Sequence, residues 1–92
     1  MFTKEDLRII LSDEKYKNKT CDLTTTILKG NFPVVYKCKN CFLNKNAKAS
    51  SMVQYEILDV KETYLVLKYY SSIDSKHFIF LPFSSIEEIK FY

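Results

Sequence analysis

The stretch "YKCKNCFLNKNAK", residues 36–48, holds the side chains of this chain best suited to chemistry. Cys38 and Cys41 stand at C-x-x-C spacing. Two thiolates so placed can bind a metal or cycle between dithiol and disulfide. Zinc needs four ligands in a tetrahedron. The only other soft donors are Cys21 and His77, which would have to converge on Cys38 and Cys41 from two different strands. Tyr36, two residues before the first cysteine, suits a zinc ribbon, but Phe42 stands where the turn of a metal knuckle favours glycine. Redox chemistry would place the first thiolate at a helix N-terminus. Here the pair follows a strand-like run and precedes a coil-like segment. Lys37 and Lys39 could lower a thiol pKa, yet the expectation is a pair of reduced cysteines in a loop, with no metal and no cofactor.

Acid–base chemistry has little material. His77 is the single histidine and opens the most apolar run of the chain, as a strand-end or core histidine does. No G-x-S-x-G, H-E-x-x-H or phosphate-binding loop occurs. The carboxylates are scattered over what read as helix, loop and outward strand faces. The chain is therefore expected not to be an enzyme.

Binding is better supported. Residues 1–22 are electrically neutral, residues 23–55 carry five lysines and no acid, and residues 56–92 carry a net charge of −2. Within the basic third, Lys29, Lys37, Lys39, Lys45 and Lys48 alternate with Phe32, Tyr36 and Phe42. Lysines attract a polyanion at range, and exposed aromatics supply hot spots or stacking faces. These eight residues form the expected partner site. The partner is expected to be an acidic protein surface or a protein–nucleic acid assembly, with single-stranded nucleic acid, RNA in particular, as the alternative. Thirteen lysines against one arginine speak against sequence-specific DNA reading, which relies on bidentate arginine. The plain alternative is a lysine-solvated loop whose aromatics pack inward.

The elements that would carry these residues read as mostly β within a single domain spanning 1–92. "FTKEDLRIIL" predicts a short helix capped by Thr3, with Asp6 closing a capping box and Leu7, Ile10 and Leu11 forming its apolar stripe. "TCDLTTTIL" predicts a strand with Cys21, Leu23, Thr25 and Ile27 inward, broken by Gly30, the only glycine. "PVVYK" predicts a short edge strand, followed by an irregular basic excursion that spans 30–51 in all. "MVQYEILDV" predicts a strand with Val53, Tyr55 and Ile57 inward and Gln54 and Glu56 outward, slipping phase near Leu58 as at a bulge. "TYLVLKYY", a turn at "SSIDSK", "HFIFLP" and "IEEIKFY" complete the set. "HFIFLP" is apolar on both faces, which predicts a central strand. The expected core is Leu7, Ile10, Leu23, Ile27, Tyr55, Ile57, Leu65, Leu67, Phe78, Phe80 and Ile89.

The summed order is one helix and then about five closely spaced, strongly bent antiparallel strands, as an open sheet or barrel. With its leading helix, the bent "MVQYEILDV" strand and the "HFIFLPFSSIEEIKFY" pair, the chain resembles the Sm-like and SH3-like small barrels. That resemblance implies assembly through strand edges, so a self-associating structural protein is a further expectation, with "FIFLPF" and "IKFY" as candidate edges. An odd number of cysteines and acids near the start of the chain predict a reducing, cytoplasmic setting and no export signal. No apolar run approaches the ~20 residues a membrane helix needs. The Lys, Asn, Ile and Tyr bias suggests AT-rich coding, as in a low-GC bacterium or its phage, where a modulator of another assembly would fit.

Overall fold

Thr3 begins the only α-helix among the described residues of the computed structural model, which are 1–47, 53–70 and 77–92. Its hydroxyl accepts from the Asp6 N–H at 3.1 Å, and the Asp6 carboxylate accepts from the Thr3 N–H at 3.0 Å. This is the capping box expected from the sequence, and it satisfies two otherwise orphaned donors. The helix, α1, spans Lys4–Leu11. A 3₁₀ turn at Glu14–Tyr16 then leads into β1, Thr20–Lys29. The remaining strands are β2 (Phe32–Asn40), β3 (Tyr55–Val60), β4 (Tyr64–Tyr69), β5 (Phe78–Pro82) and β6 (Ile86–Phe91). The expected turn at 71–76 and Lys48 lie outside the described residues.

The strands make one sheet in the order β5-β4-β3-β2-β1-β6. Among the described residues there are six strands, in keeping with the expected helix followed by a small bent sheet of about five. All neighbours are antiparallel except β2 and β3, which run parallel. A parallel pair cannot be joined by a hairpin and needs a long crossover. The chain between Asn40 and Tyr55 makes that connection, which gives the basic segment a topological reason. The excursion is shorter than the expected 30–51, because "PVVYK" is part of a nine-residue strand lying between β1 and β3.

β5 and β6 are consecutive in the chain yet stand at opposite ends of the sheet, with only a 3₁₀ turn at Phe83–Ser85 between them. The sheet therefore curls until its two ends approach at that corner, without closing into a barrel. Curvature is helped by the slip of register between Ile57 and Asp59, which leaves Leu58 as the bulged residue. That bulge is where the sequence pattern changes phase.

Leu7 and Leu11 of α1 insert into the curl against Leu23, Ile57, Leu65, Leu67 and Leu81, all 0–1% exposed. Full burial of such side chains is worth about 1.5–3 kcal/mol each. Several expected core positions are corrected. Ile27, Phe78 and Phe80 are exposed, while Ile10, Tyr55 and Ile89 are only half-buried. Ile79 and Leu81 take the inward places of β5, because Leu67 pairs with Ile79 and Leu65 with Leu81. β5 is an edge strand, not a central one, although it is apolar on both faces. Glu56, expected outward, is 6% exposed, between the register neighbours Lys39 and Lys68.

Candidate interaction surface

β1 and β2 outrun their neighbours. β6 pairs with β1 no further than Thr25, and β3 pairs with β2 only from Cys38 onward. Residues 26–34 therefore form a two-stranded arm paired only with itself. Its tip is a two-residue turn, with Lys29 opposite Phe32. Gly30 sits there at φ +65°, where a side chain is disfavoured, and a first-position glycine with Asn31 after it fits a type II′ hairpin. The arm's base is pinned by Thr25, which is fully buried. Its hydroxyl donates to the Val34 carbonyl at 2.7 Å and accepts from the Ile27 N–H at 3.2 Å. The register shifts at this point, between Thr24 and Leu28, so the arm bends away from the sheet.

The arm exposes Phe32 (76%), Leu28 (65%) and Ile27 (42%), and Val35 (45%) is exposed at its foot, opposite Thr24. Phe32 was expected at the site. Ile27, Leu28 and Val35 were not: Ile27 was expected in the core and Val35 in a short edge strand. Lys29 stands exposed at the tip, without an ion-pair partner among the described residues.

The other described lysines of the expected site each lie beside a group of the fold. Lys37 lies 3.5 Å from Asp22, which also accepts from the Tyr92 hydroxyl. Lys39 is half-buried, in register between Thr20 and Glu56. Lys45 sits 4.6 Å above the half-buried Phe42 ring and donates to the Leu58 carbonyl. An acid-free stretch of sequence thus folds against acids from elsewhere in the chain. The charge expected to be concentrated over 29–48 is partly neutralised, and Lys37, Lys39 and Lys45 have structural work to do.

Tyr36 faces inward and meets Tyr55 edge-on, with ring centroids 5.0 Å apart. Tyr55 meets Tyr69 at 5.4 Å, and Tyr69 meets His77 at 5.2 Å. Four rings thus run from β2 to the start of β5. Burial, and then the neighbouring Tyr36 and Tyr69 hydroxyls, hold the Tyr55 phenol above its ordinary range.

The cysteines are core residues. Cys38 lies within β2, opposite Cys21 of β1, and Cys41 follows just past the strand, its N–H donating to the Ile57 carbonyl at 3.0 Å. All three are reduced and buried. The expected loop placement is corrected for Cys38, because β2 runs three residues past Lys37, where the expected strand ended. Burial, and then hydrogen bonding with Cys21, push the Cys38 thiol well above its ordinary pKa. Burial, and then the Glu56 charge, raise Cys41 to about 11, against the opposing pull of Lys39 and Lys45. His77 is exposed beside Tyr69, with β4, β3 and β2 between its strand and β1. No three His, Cys, Asp or Glu side chains among the described residues are grouped to hold a metal. Nor is any described helix long and apolar enough to cross a membrane.

No protein-family model, curated protein or solved structure matches this chain.

Proposed function

We propose that this chain is a small, non-catalytic, cofactor-free binding protein of the cytoplasm, and that the β1–β2 arm makes its partner contact. The observation that carries this reading is the self-paired arm at 26–34, with Leu28 and Phe32 exposed beside Lys29. A lone two-stranded ribbon is marginal in water, and apolar side chains displayed on it add nothing to the core. They do have the composition of an interface hot spot. The fitting partner is a protein with an apolar recess beside acidic groups, alone or within a protein–nucleic acid assembly. Three buried, reduced thiols support the reducing compartment.

Capture from an extract of the native host, with and without nuclease, tests the reading. The wild-type chain should retain one protein after nuclease treatment, less tightly as salt rises, because charge attraction is screened over about 8–10 Å. A Leu28→Asp/Phe32→Asp variant should lose that protein while keeping the wild-type melting temperature. Unchanged capture by the double variant would remove the arm from consideration. Disappearance of all capture with nuclease would favour single-stranded nucleic acid as the partner.

A further inference from the structure

We infer that β5 is a self-pairing edge through which two copies of this chain associate about a two-fold axis at Phe80. This surface is separate from the arm, and the inference does not depend on the arm's role.

Among the described residues, β5 has β4 on one side and no strand on the other. The Tyr69 N–H donates to the His77 carbonyl at 2.9 Å, which fixes the alternation of the ladder. His77, Ile79 and Leu81 turn their backbone groups toward β4, so Phe78, Phe80 and Pro82 turn theirs to the open side. Pro82 has no N–H to offer, and the open side is where a proline does no harm to its own sheet. The open edge thus presents two donors, from Phe78 and Phe80, and three carbonyls.

An antiparallel copy centred on Phe80 satisfies both donors. Each Phe80 N–H meets the other copy's Phe80 carbonyl, and each Phe78 N–H meets the other copy's Pro82 carbonyl. The pairing makes four hydrogen bonds, and each proline falls where only its carbonyl is used. The side chains agree with the backbone. Phe78 is 43% and Phe80 62% exposed on the outer face, and Tyr64 stands edge-on to Phe80 at 5.5 Å. Phe78 and Phe80 line a shallow cleft with Leu58 and Val66, at which Lys45, Asp59 and Lys61 also stand. Two copies would bring the phenylalanines together across the axis.

The contrast with the other end of the sheet sharpens the choice of occupant. β6, "IEEIKF", carries Glu87, Glu88 and Lys90, the charges by which proteins keep an edge from pairing. β5, "FIFLP", carries none. An uncharged, self-complementary edge suits its own copy, whereas head-to-tail pairing of β5 with β6 would set phenylalanines against charges. A five-residue strand makes an interface below the standard ~1,600 Å², so the dimer should be concentration-dependent.

Sedimentation velocity on the full chain, from about 1 μM to about 1 mM, spans the range where such a contact dissociates. The wild type should pass from monomer to dimer and stop there. Phe80→Lys should shift the midpoint at least tenfold upward or remove the dimer, and Phe32→Lys on the arm should leave it in place. If Phe80→Lys fails to fold by circular dichroism, Phe78→Glu on the same edge serves as the second variant. A wild type that stays monomeric throughout would overturn the inference. So would a dimer lost only with Phe32→Lys, or species larger than a dimer, which would indicate head-to-tail pairing.

Discussion

Asn40 is the polar side chain on which most of the fold's connections converge, and replacing it should cost more than most apolar truncations. It is 1% exposed. Its Nδ2 donates to the Leu11 carbonyl at 3.0 Å and to the Tyr16 carbonyl at 3.0 Å, and its Oδ1 accepts from the Phe42 N–H at 3.1 Å. One amide therefore ties the end of α1, the 3₁₀ turn and the start of the crossover to the last residue of β2. Asn40→Ala removes three hydrogen bonds at about 1 kcal/mol net each and strands a donor at Phe42, for a loss of about 3 kcal/mol. The whole chain should hold roughly 5–14 kcal/mol by its length. A loss of that size should lower the melting temperature by about 12–24 °C. Urea titration followed by circular dichroism measures it directly. Asn40→Asp separates hydrogen bonding from packing, because it keeps the shape and exchanges the donor for an anion facing two carbonyl oxygens. Burial and that repulsion would raise the introduced carboxyl's folded-state pKa above its unfolded value of about 3.9. A raised folded-state pKa means that the folded state holds the proton more tightly. The penalty relative to wild type should therefore be full above the folded-state pKa and shrink as pH falls through it toward about 4. A change below about 0.5 kcal/mol for Asn40→Ala, or a pH-independent penalty for Asn40→Asp, would refute this account of the junction.

Strand phase can be checked by a pair of substitutions. Leu67→Ala, at a fully buried site, should cost about 2–5 kcal/mol, while Phe80→Ala, on the exposed face, should stay within about 0.5 kcal/mol by the same urea titration. The thiols offer a second check. With Cys41 raised to about 11, its thiolate fraction at pH 8 should be on the order of a hundredfold below that of an unperturbed cysteine. Alkylation of the native chain, followed by mass spectrometry, should accordingly be slow at pH 8 and fast only after unfolding. Prompt labelling of Cys41 in the folded state would show that the site is more open than its burial indicates.

The sequence by itself determined what depends on near neighbours in the chain. The Thr3–Asp6 capping box, the inward run Leu65–Leu67, the bulge at Leu58 and the turn at Gly30 each arise from side chains or backbone torsions within a few residues, so local pattern suffices to read them. Tertiary structure decided the rest, because it depends on which strands become neighbours. Apolar residues on both faces of "HFIFLP" suggested a central strand, but position in a sheet is a property of the partners, and β5 has one partner only. The same strand showed that alternation fixes two faces without saying which is inside, so Phe78 and Phe80 were assigned to the core in place of Ile79 and Leu81. The acid-free stretch 23–55 read as a basic patch, yet pairing brings Asp22 beside Lys37 and sets Glu56 next to Lys39 in register. Charge along the chain is counted by sequence separation, whereas Coulomb's law counts distance, and the two agree only where no strand from elsewhere intervenes. The arm was hidden for the same reason. Ile27 and Leu28 look like any strand residues, and only the early ends of β3 and β6 leave them without a core to enter.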